Sequence, residues 1–233
     1  MISVVVPLYN EGSGGREAAR RLLAEKEWGE IILAEAGDDE ASRRLLDMLV
    51  RESAADGRLR IVSCPQTGRA RQLNRGAAAA VGEELLFLHA DTILPDGAPT
   101  MIDNALADGA RWGRFDVRLA AEGKVYRLIE SMMNLRSRIT GIATGDQALF
   151  MPRPVFNRLG GYANIALMED IEISRRLKRF GRPAVIPARA ITSARRWQQD
   201  GVVRTTLLMW RLRFLYWLGT DPEKLAGWYR DAR

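Results

Sequence analysis

ISVVV (2–6), EIILA (30–34), RLRIV (58–62) and ELLFLH (84–89) are four short runs of aliphatic and β-branched residues, each separated from the next by a helix-forming stretch. The intervening segments, REAARRLLAEK (16–26), SRRLLDMLVRESA (42–54) and RARQLNRGAAAAV (69–81), carry apolar residues at helical spacing. Strands that are apolar on both faces and alternate with helices predict a parallel sheet covered on both sides, an α/β fold. Past Asp91 the alternation lapses. Helices are predicted near 98–107 and 124–139, and RWGRFDVRLA (111–120) reads as a strand. ALMEDIEISRRLKRFG (166–181) reads as a helix led by acids, closed by basic residues and stopped at Gly181, the polarity that the helix dipole favours. Ile173, Leu177 and Phe180 mark its inner face.

Length and composition set the frame. A chain of 233 residues with 47% hydrophobic and 27% charged residues suits one soluble globular domain. The expected organisation is a single domain over 1–233, made of segments 1–92 and 93–198 and C-terminal helices at 199–233. A net charge of +6 favours anionic partners. The basic residues are scattered and not gathered in a recognition motif, which speaks against nucleic acid. Cys64 is the only cysteine, so no intrachain disulfide is available, and MISVVV has neither a basic leader nor a cleavage site. Both point to a cytoplasmic setting, which includes the inner face of the membrane.

In an open α/β sheet, ligands gather at the carboxyl ends of the strands. Those ends carry Pro7-Leu8-Tyr9-Asn10-Glu11, Glu35-Ala36-Gly37-Asp38-Asp39, Gly68-Arg69 and His89-Ala90-Asp91. The turn at 7–11 offers a flat aromatic ring and hydrogen-bonding groups beside a strand end, and Asp91-Thr92 reads as a turn before Pro95.

VVVPLYNE (4–11), GRARQLNRGA (68–77), LFLHADT (86–92), GDQALF (145–150), LMED (167–170) and ARRW (194–197) together resemble the family 2 glycosyltransferases of the GT-A type fold. Each string is weak alone, and their order and spacing across nearly the whole chain carry the resemblance. It implies a Rossmann-like mixed sheet and inverting transfer from a nucleoside-diphosphate sugar to an acceptor hydroxyl, with a lipid-linked acceptor among the choices. It also implies a nucleotide-sugar-binding half at 1–92 and an acceptor and catalytic half at 93–198, with Pro7, Tyr9, Asn10, Glu11, Arg69 and Asn74 bordering the donor. Where the family ends its second strand in aspartate this chain has Glu35, with Asp38, Asp39 and Glu40 as alternatives.

The resemblance sets His89-Ala90-Asp91 where the family carries its DxD signature. Asp91 then serves a Mn²⁺ or Mg²⁺ ion that neutralises the diphosphate. His89 replaces the other acid, either bonding the ribose or adding a nitrogen ligand that suits Mn²⁺ better than Mg²⁺. Asp170 takes the role of catalytic base, with Glu169 in support. Read without the family, the same acids start a helix and complement its dipole. Asp146 and Gln147 fall near the sugar and acceptor, and Gly145 permits close backbone approach. Arg196-Trp197 matches the end of a QxxRW element whose glutamine is replaced by Ser193, which argues for single rather than processive transfer.

Two other classes compete. A sugar-phosphate nucleotidyltransferase needs a glycine-rich basic loop after its first strand, which PLYNEGSGG does not supply. A non-catalytic nucleotide-sugar-binding or membrane-docking module shares the fold, and retention of both Asp91 and Asp170 speaks against it. In VVRTTLLMWRLRFLYWLG (202–219), Arg204, Arg211 and Arg213 rule out a comfortable spanning helix. Its stripe of Val203, Leu207, Trp210, Phe214 and Trp217 is expected to pack on the domain, with a membrane surface as the alternative.

Overall fold

A computed structural model describes residues 1–231. The first half alternates as its hydrophobic runs predict: β1 (Ile2–Leu8), α1 (Gly12–Ala24), β2 (Glu30–Glu35), α2 (Glu40–Glu52), β3 (Leu59–Ser63), α3 (Arg69–Ala79) and β4 (Glu84–Phe87). α1 starts four residues earlier than its apolar periodicity suggests. Its first turn is glycine-rich because α2 lies against it: a Cβ on Gly12 would stand 2.5 Å from the Ser42 Cα.

The second half continues with α4 (Ala98–Ala107), β5 (Gly113–Leu119), α5 (Lys124–Thr140), β6 (Leu149–Pro152), α6 (Arg153–Leu159) and α7 (Glu169–Leu177). It closes with β7 (Ala184–Thr192), α8 (Arg195–Asp200), α9 (Val202–Trp217) and α10 (Pro222–Asp231). The helix predicted over 166–181 is shorter: α7 begins at Glu169, and residues 178–180 form a 3₁₀ turn before Gly181.

The seven-stranded sheet runs in the order β3-β2-β1-β4-β6-β5-β7. β1 pairs in parallel with β2 and β4, and β2 with β3, while β6 lies antiparallel to both β4 and β5. The fold class is the expected mixed, mostly parallel α/β sheet. β1 shows how the core divides. Ile2, Val4, Val6 and Leu8 face α1 and α2, and Val5 faces the opposite layer with Leu73 of α3 and Ile173 and Leu177 of α7. Side chains alternate across a strand, so one strand feeds both cores.

β5 touches β6 only at Gly113–Phe150 and then diverges, which leaves backbone groups that need partners. Side chains of α5 supply them. Asn134 accepts from the Val117 N–H (2.9 Å) and donates to its carbonyl (3.0 Å), and Glu130 accepts from the Leu119 N–H (2.7 Å).

The C-terminal stripe departs from expectation. Val203, Leu207, Trp210, Phe214 and Trp217 are 54–71% exposed and do not pack on the domain. α9 instead packs through Leu208, Met209, Leu212 and Leu215, against Met168 and Ile171 of α7 and Leu225 of α10. Spacing located an apolar stripe, but α9 is apolar nearly all round, so spacing did not choose the buried side. No described helix is long and apolar enough to cross a membrane.

Candidate active site

The strand ends meet at a cavity of about 650 Å³. Pro7 of β1, Glu11 at the start of α1, Arg69 of α3 and His89 and Asp91 beyond β4 form one part of its lining. Asp146, Glu169, Asp170, Arg196 and Trp197 form another. Three non-glycine residues among those described have positive φ, namely Asn10 (51°), Ala148 (49°) and Met168 (70°). Each adjoins a lining segment. Left-handed backbone is costly for such residues and collects where a structure must aim particular groups.

Met168 is the turn that aims the two acids. With its backbone left-handed, α7 starts at Glu169 and presents Glu169 and Asp170 in its first turn. Asp170 is held by two backbone donors: Ile171 N–H to Oδ1 (2.7 Å) and Gly145 N–H to Oδ2 (3.1 Å). Glu169 is buried and meets Arg69 Nη1 at 3.3 Å. Burial pushes its carboxyl above the usual glutamate value, and neighbouring Asp170 pushes the same way, against the pull of Arg69. Arg69 in turn is raised: burial works to lower it, but Glu169, Asp146 and Asp170 together prevail.

In the same lining, His89 Nδ1 lies 3.2 Å from Asp146 Oδ1, and Thr192 at the end of β7 donates to the same oxygen (3.4 Å). Burial would raise the Asp146 carboxyl. Its hydrogen bond and charge contact with His89, helped by Arg69 and Thr192, hold it below the ordinary aspartate value instead. Gly145 admits the imidazole, because a Cβ there would stand 2.2 Å from His89 Nε2. The expected close approach at this glycine is thus toward a side chain of the protein. His89 is spoken for at Nδ1 and covered by backbone near Nε2, which makes it a poor metal ligand in this geometry.

Asp91 differs. It is exposed on the cavity wall, in a turn closed by Thr92 N–H to the His89 carbonyl (3.1 Å). Among the described residues no group of three or more His, Cys, Asp or Glu is placed to hold a metal. A divalent ion bound with a diphosphate needs only one or two protein carboxylates, since phosphate oxygens and water complete its shell. Asp91 fits that requirement, and His89 does not.

Several predicted site residues stand outside the lining. Asn74 spends both ends of its amide on the Tyr162 backbone, 2.8 Å each way, and so ties α3 to the loop before α7. Gln147 is fully buried and accepts from the Thr144 N–H (3.1 Å). Glu35 is buried and accepts from Gly37 N–H (2.7 Å). Asn10 bonds Asp38 and the Asp39 N–H, Asp39 caps α2 through Ser42, and Glu40 pairs with Arg44. Tyr9 is exposed and does not line the cavity. Of the lining residues, sequence reasoning missed Thr144, Thr192 and Arg195, and also Met209, Leu212, Arg213 and Tyr229 from the last helices. β7, which delivers Thr192, lacks a clean apolar alternation, and the helices are brought in only by packing.

The sequence profile of glycosyl transferase family 2 matches residues 3–156. The chain belongs to that family. Among solved structures it is similar to the mannosyltransferase PcManGT of Pyrobaculum calidifontis in complex with GDP-Man and Mn²⁺, at 18% identity and a TM-score of 0.63 over 82% of this chain and 56% of that one. It is also similar to TarS 1–349 of S. aureus in complex with UDP, at 16% identity and a TM-score of 0.65 over 87% of this chain and 63% of that one. The same S. aureus protein in complex with UDP-GlcNAc aligns at 15% identity and a TM-score of 0.65, over 82% of this chain and 58% of that one. At such identities the likeness establishes the GT-A type fold, and this family 2 chain spans less than two thirds of those structures' length. No curated protein matches it.

Proposed function

We propose that residues 1–233 form one transferase domain that moves a sugar from a nucleoside diphosphate to an acceptor hydroxyl with inversion. The observation that carries this reading is that Asp91 and Asp170, remote in sequence, line one cavity. Family membership and neighbours bound to GDP-Man and UDP-GlcNAc support a nucleotide-sugar donor.

Asp91 would hold a Mn²⁺ or Mg²⁺ ion, which when bound would neutralise charge on the donor diphosphate. The chain's own residues do the rest. Asp170 is oriented by two backbone N–H groups and takes the proton from the acceptor hydroxyl as its oxygen attacks the anomeric carbon. Glu169 holds Arg69 beside that carboxylate. Asp146 keeps the His89 ring in place as a wall of the pocket, and Arg213 and Arg196 add positive charge to the lining.

The experiment is a panel of nucleotide sugars with Mn²⁺ or Mg²⁺, read first by thermal shift and then by donor turnover. A donor that stabilises the fold only with metal, and whose hydrolysis disappears in Asp91→Ala, is the expected result. Binding without turnover under every acceptor condition would instead make this a non-catalytic module.

A further inference from the structure

Two helices of this protein turn apolar side chains outward. On α5, Val125, Leu128, Met132, Leu135 and Ile139 form one ridge and are 41–66% exposed. On α9, Leu207, Trp210, Phe214 and Trp217 form another, with the Phe214 and Trp217 rings stacked at 6.2 Å. An ordinary surface helix buries its apolar stripe. α5 does the reverse, because its polar side chains Asn134, Glu130 and Arg127 are consumed in capping the open flank of β5. Its apolar side is left facing out. An exposed apolar area on this scale marks a surface that meets something.

The two helices adjoin. Ile142, just past α5, packs in the same cluster as Leu212 and Met209 of α9. Arg136 of α5 feels Arg213 of α9: burial first, and then that neighbouring charge, push its guanidinium down to about 10. Charge says what the surface meets. α9 carries exposed Arg204 and Arg211 and no acid, while Arg213 turns into the cavity. On α5, Lys124 is exposed, and so is Arg138, which also pairs with Asp116; Arg127 and Arg136 are spent on backbone carbonyls, and the one acid, Glu130, is buried under Arg127. Lys178 and Arg182 add two cations at the C-terminal end of α5, where they donate to the Thr140 and Ile139 carbonyls. Two copies joined through this face would set cation against cation. An anionic leaflet offers both an acyl boundary for the ridges and phosphates for the cations.

We propose that α5 and α9 together form a docking surface for an anionic lipid bilayer. Aromatic side chains of α9 and aliphatic ones of α5 enter the headgroup boundary, and the flanking arginines and lysines bind lipid phosphates. α9 also lines the cavity through Met209, Leu212 and Arg213, so docking sets one wall of the candidate active site at the leaflet. The docking claim does not depend on the transferase reading.

The test is flotation of the full chain with vesicles of phosphatidylcholine alone and of phosphatidylcholine mixed with phosphatidylglycerol. Partition onto the anionic vesicles is expected to be at least about tenfold stronger at low salt and to weaken as salt rises. The pair Leu128→Ser, Leu135→Ser and the pair Trp210→Ser, Phe214→Ser should each lower partition by about tenfold or more. Both pairs lie off the cavity and in solvent, so melting temperature and donor turnover should stay near wild type. Arg204→Glu with Arg211→Glu should erase the preference for anionic vesicles, which keeps the test open if a serine pair folds badly. Absence of anionic binding at low salt would overturn the proposal, as would loss through the α9 pair with none through the α5 pair. A dimer in sedimentation, dissolved by the serine pairs and indifferent to vesicles, would assign the face to a second copy instead.

Discussion

The loops at the ends of β1 and β2, which stand largely outside the cavity lining, and the part of the cavity built around Gly145 and the start of α7 use their polar residues in opposite ways. In the first, side chains bond to one another and to loop backbone: Asn10 to Asp38 and Asp39, Glu35 to Gly37, Asp39 to Ser42. These bonds set the shape of two loops. In the second, backbone N–H groups and arginines hold carboxylates that remain in the lining: Asp170 by Gly145 and Ile171, Glu169 by Arg69. A polar residue near a strand end is therefore scaffold when its bonds are spent shaping a loop outside the cavity. It is available for chemistry when it is held with its carboxylate still in the lining.

The strongest way to break this contrast is Asp170→Asn. Retained donor binding with transfer lowered at least about a hundredfold is expected, because a positioned base contributes on that scale. Unchanged turnover would remove Asp170 from the base role. Gly145→Ala probes the same region through sterics: the added methyl meets the His89 ring at 2.2 Å, and a stability loss of about 1–3 kcal/mol in denaturant unfolding is expected. If Gly145→Ala unfolds like wild type, the close packing of that ring is wrong.

Asn74→Ala sharpens the scaffold side. Losing both bonds to the Tyr162 backbone should cost about 1–2 kcal/mol of stability and leave donor affinity in thermal shift nearly unchanged. A large affinity loss with normal stability would return Asn74 to the donor pocket.

The smallest effect is a difference in pH dependence between two acids. The Glu169 carboxyl is raised in the fold, so its contribution is fully present below the ordinary glutamate value of 4.5 and is lost as pH rises through the folded value. Glu169→Gln should therefore melt progressively higher than wild type as pH climbs from acid to neutral. The Asp146 carboxyl is lowered, so its contribution is present above the ordinary 3.8 and is lost as pH falls through the folded value. Asp146→Asn should melt below wild type at neutral pH and converge with it in acid. Parallel melting curves for the two variants would contradict these opposite environments.

The β1–β4 half of the fold was legible because both its signals are local: apolar runs of strand length, and helices with a marked inner face such as Ala18, Ala19 and Leu22. Ile173 and Leu177 were found on the buried side of α7 for the same reason. Asp91, Asp146, Glu169 and Asp170 were legible as acids beside predicted elements, with family strings to order them. Asn74 and Gln147 were placed at the site by those strings, and the structure uses both to hold loops. Thr192 and Arg213 were not found, since β7 and α9 reach the cavity only through long-range packing.

By itself, the sequence determined the alternation of strands and helices, the places where strands end and the acids standing there, because hydrophobic period and residue chemistry are properties of neighbouring positions. Only the tertiary structure decided which polar groups are consumed by other parts of the chain and which face the cavity. It also decided which side of α5 and α9 is covered. A side chain's free valence and its exposure depend on partners far away in sequence, and only the folded chain brings those partners within reach.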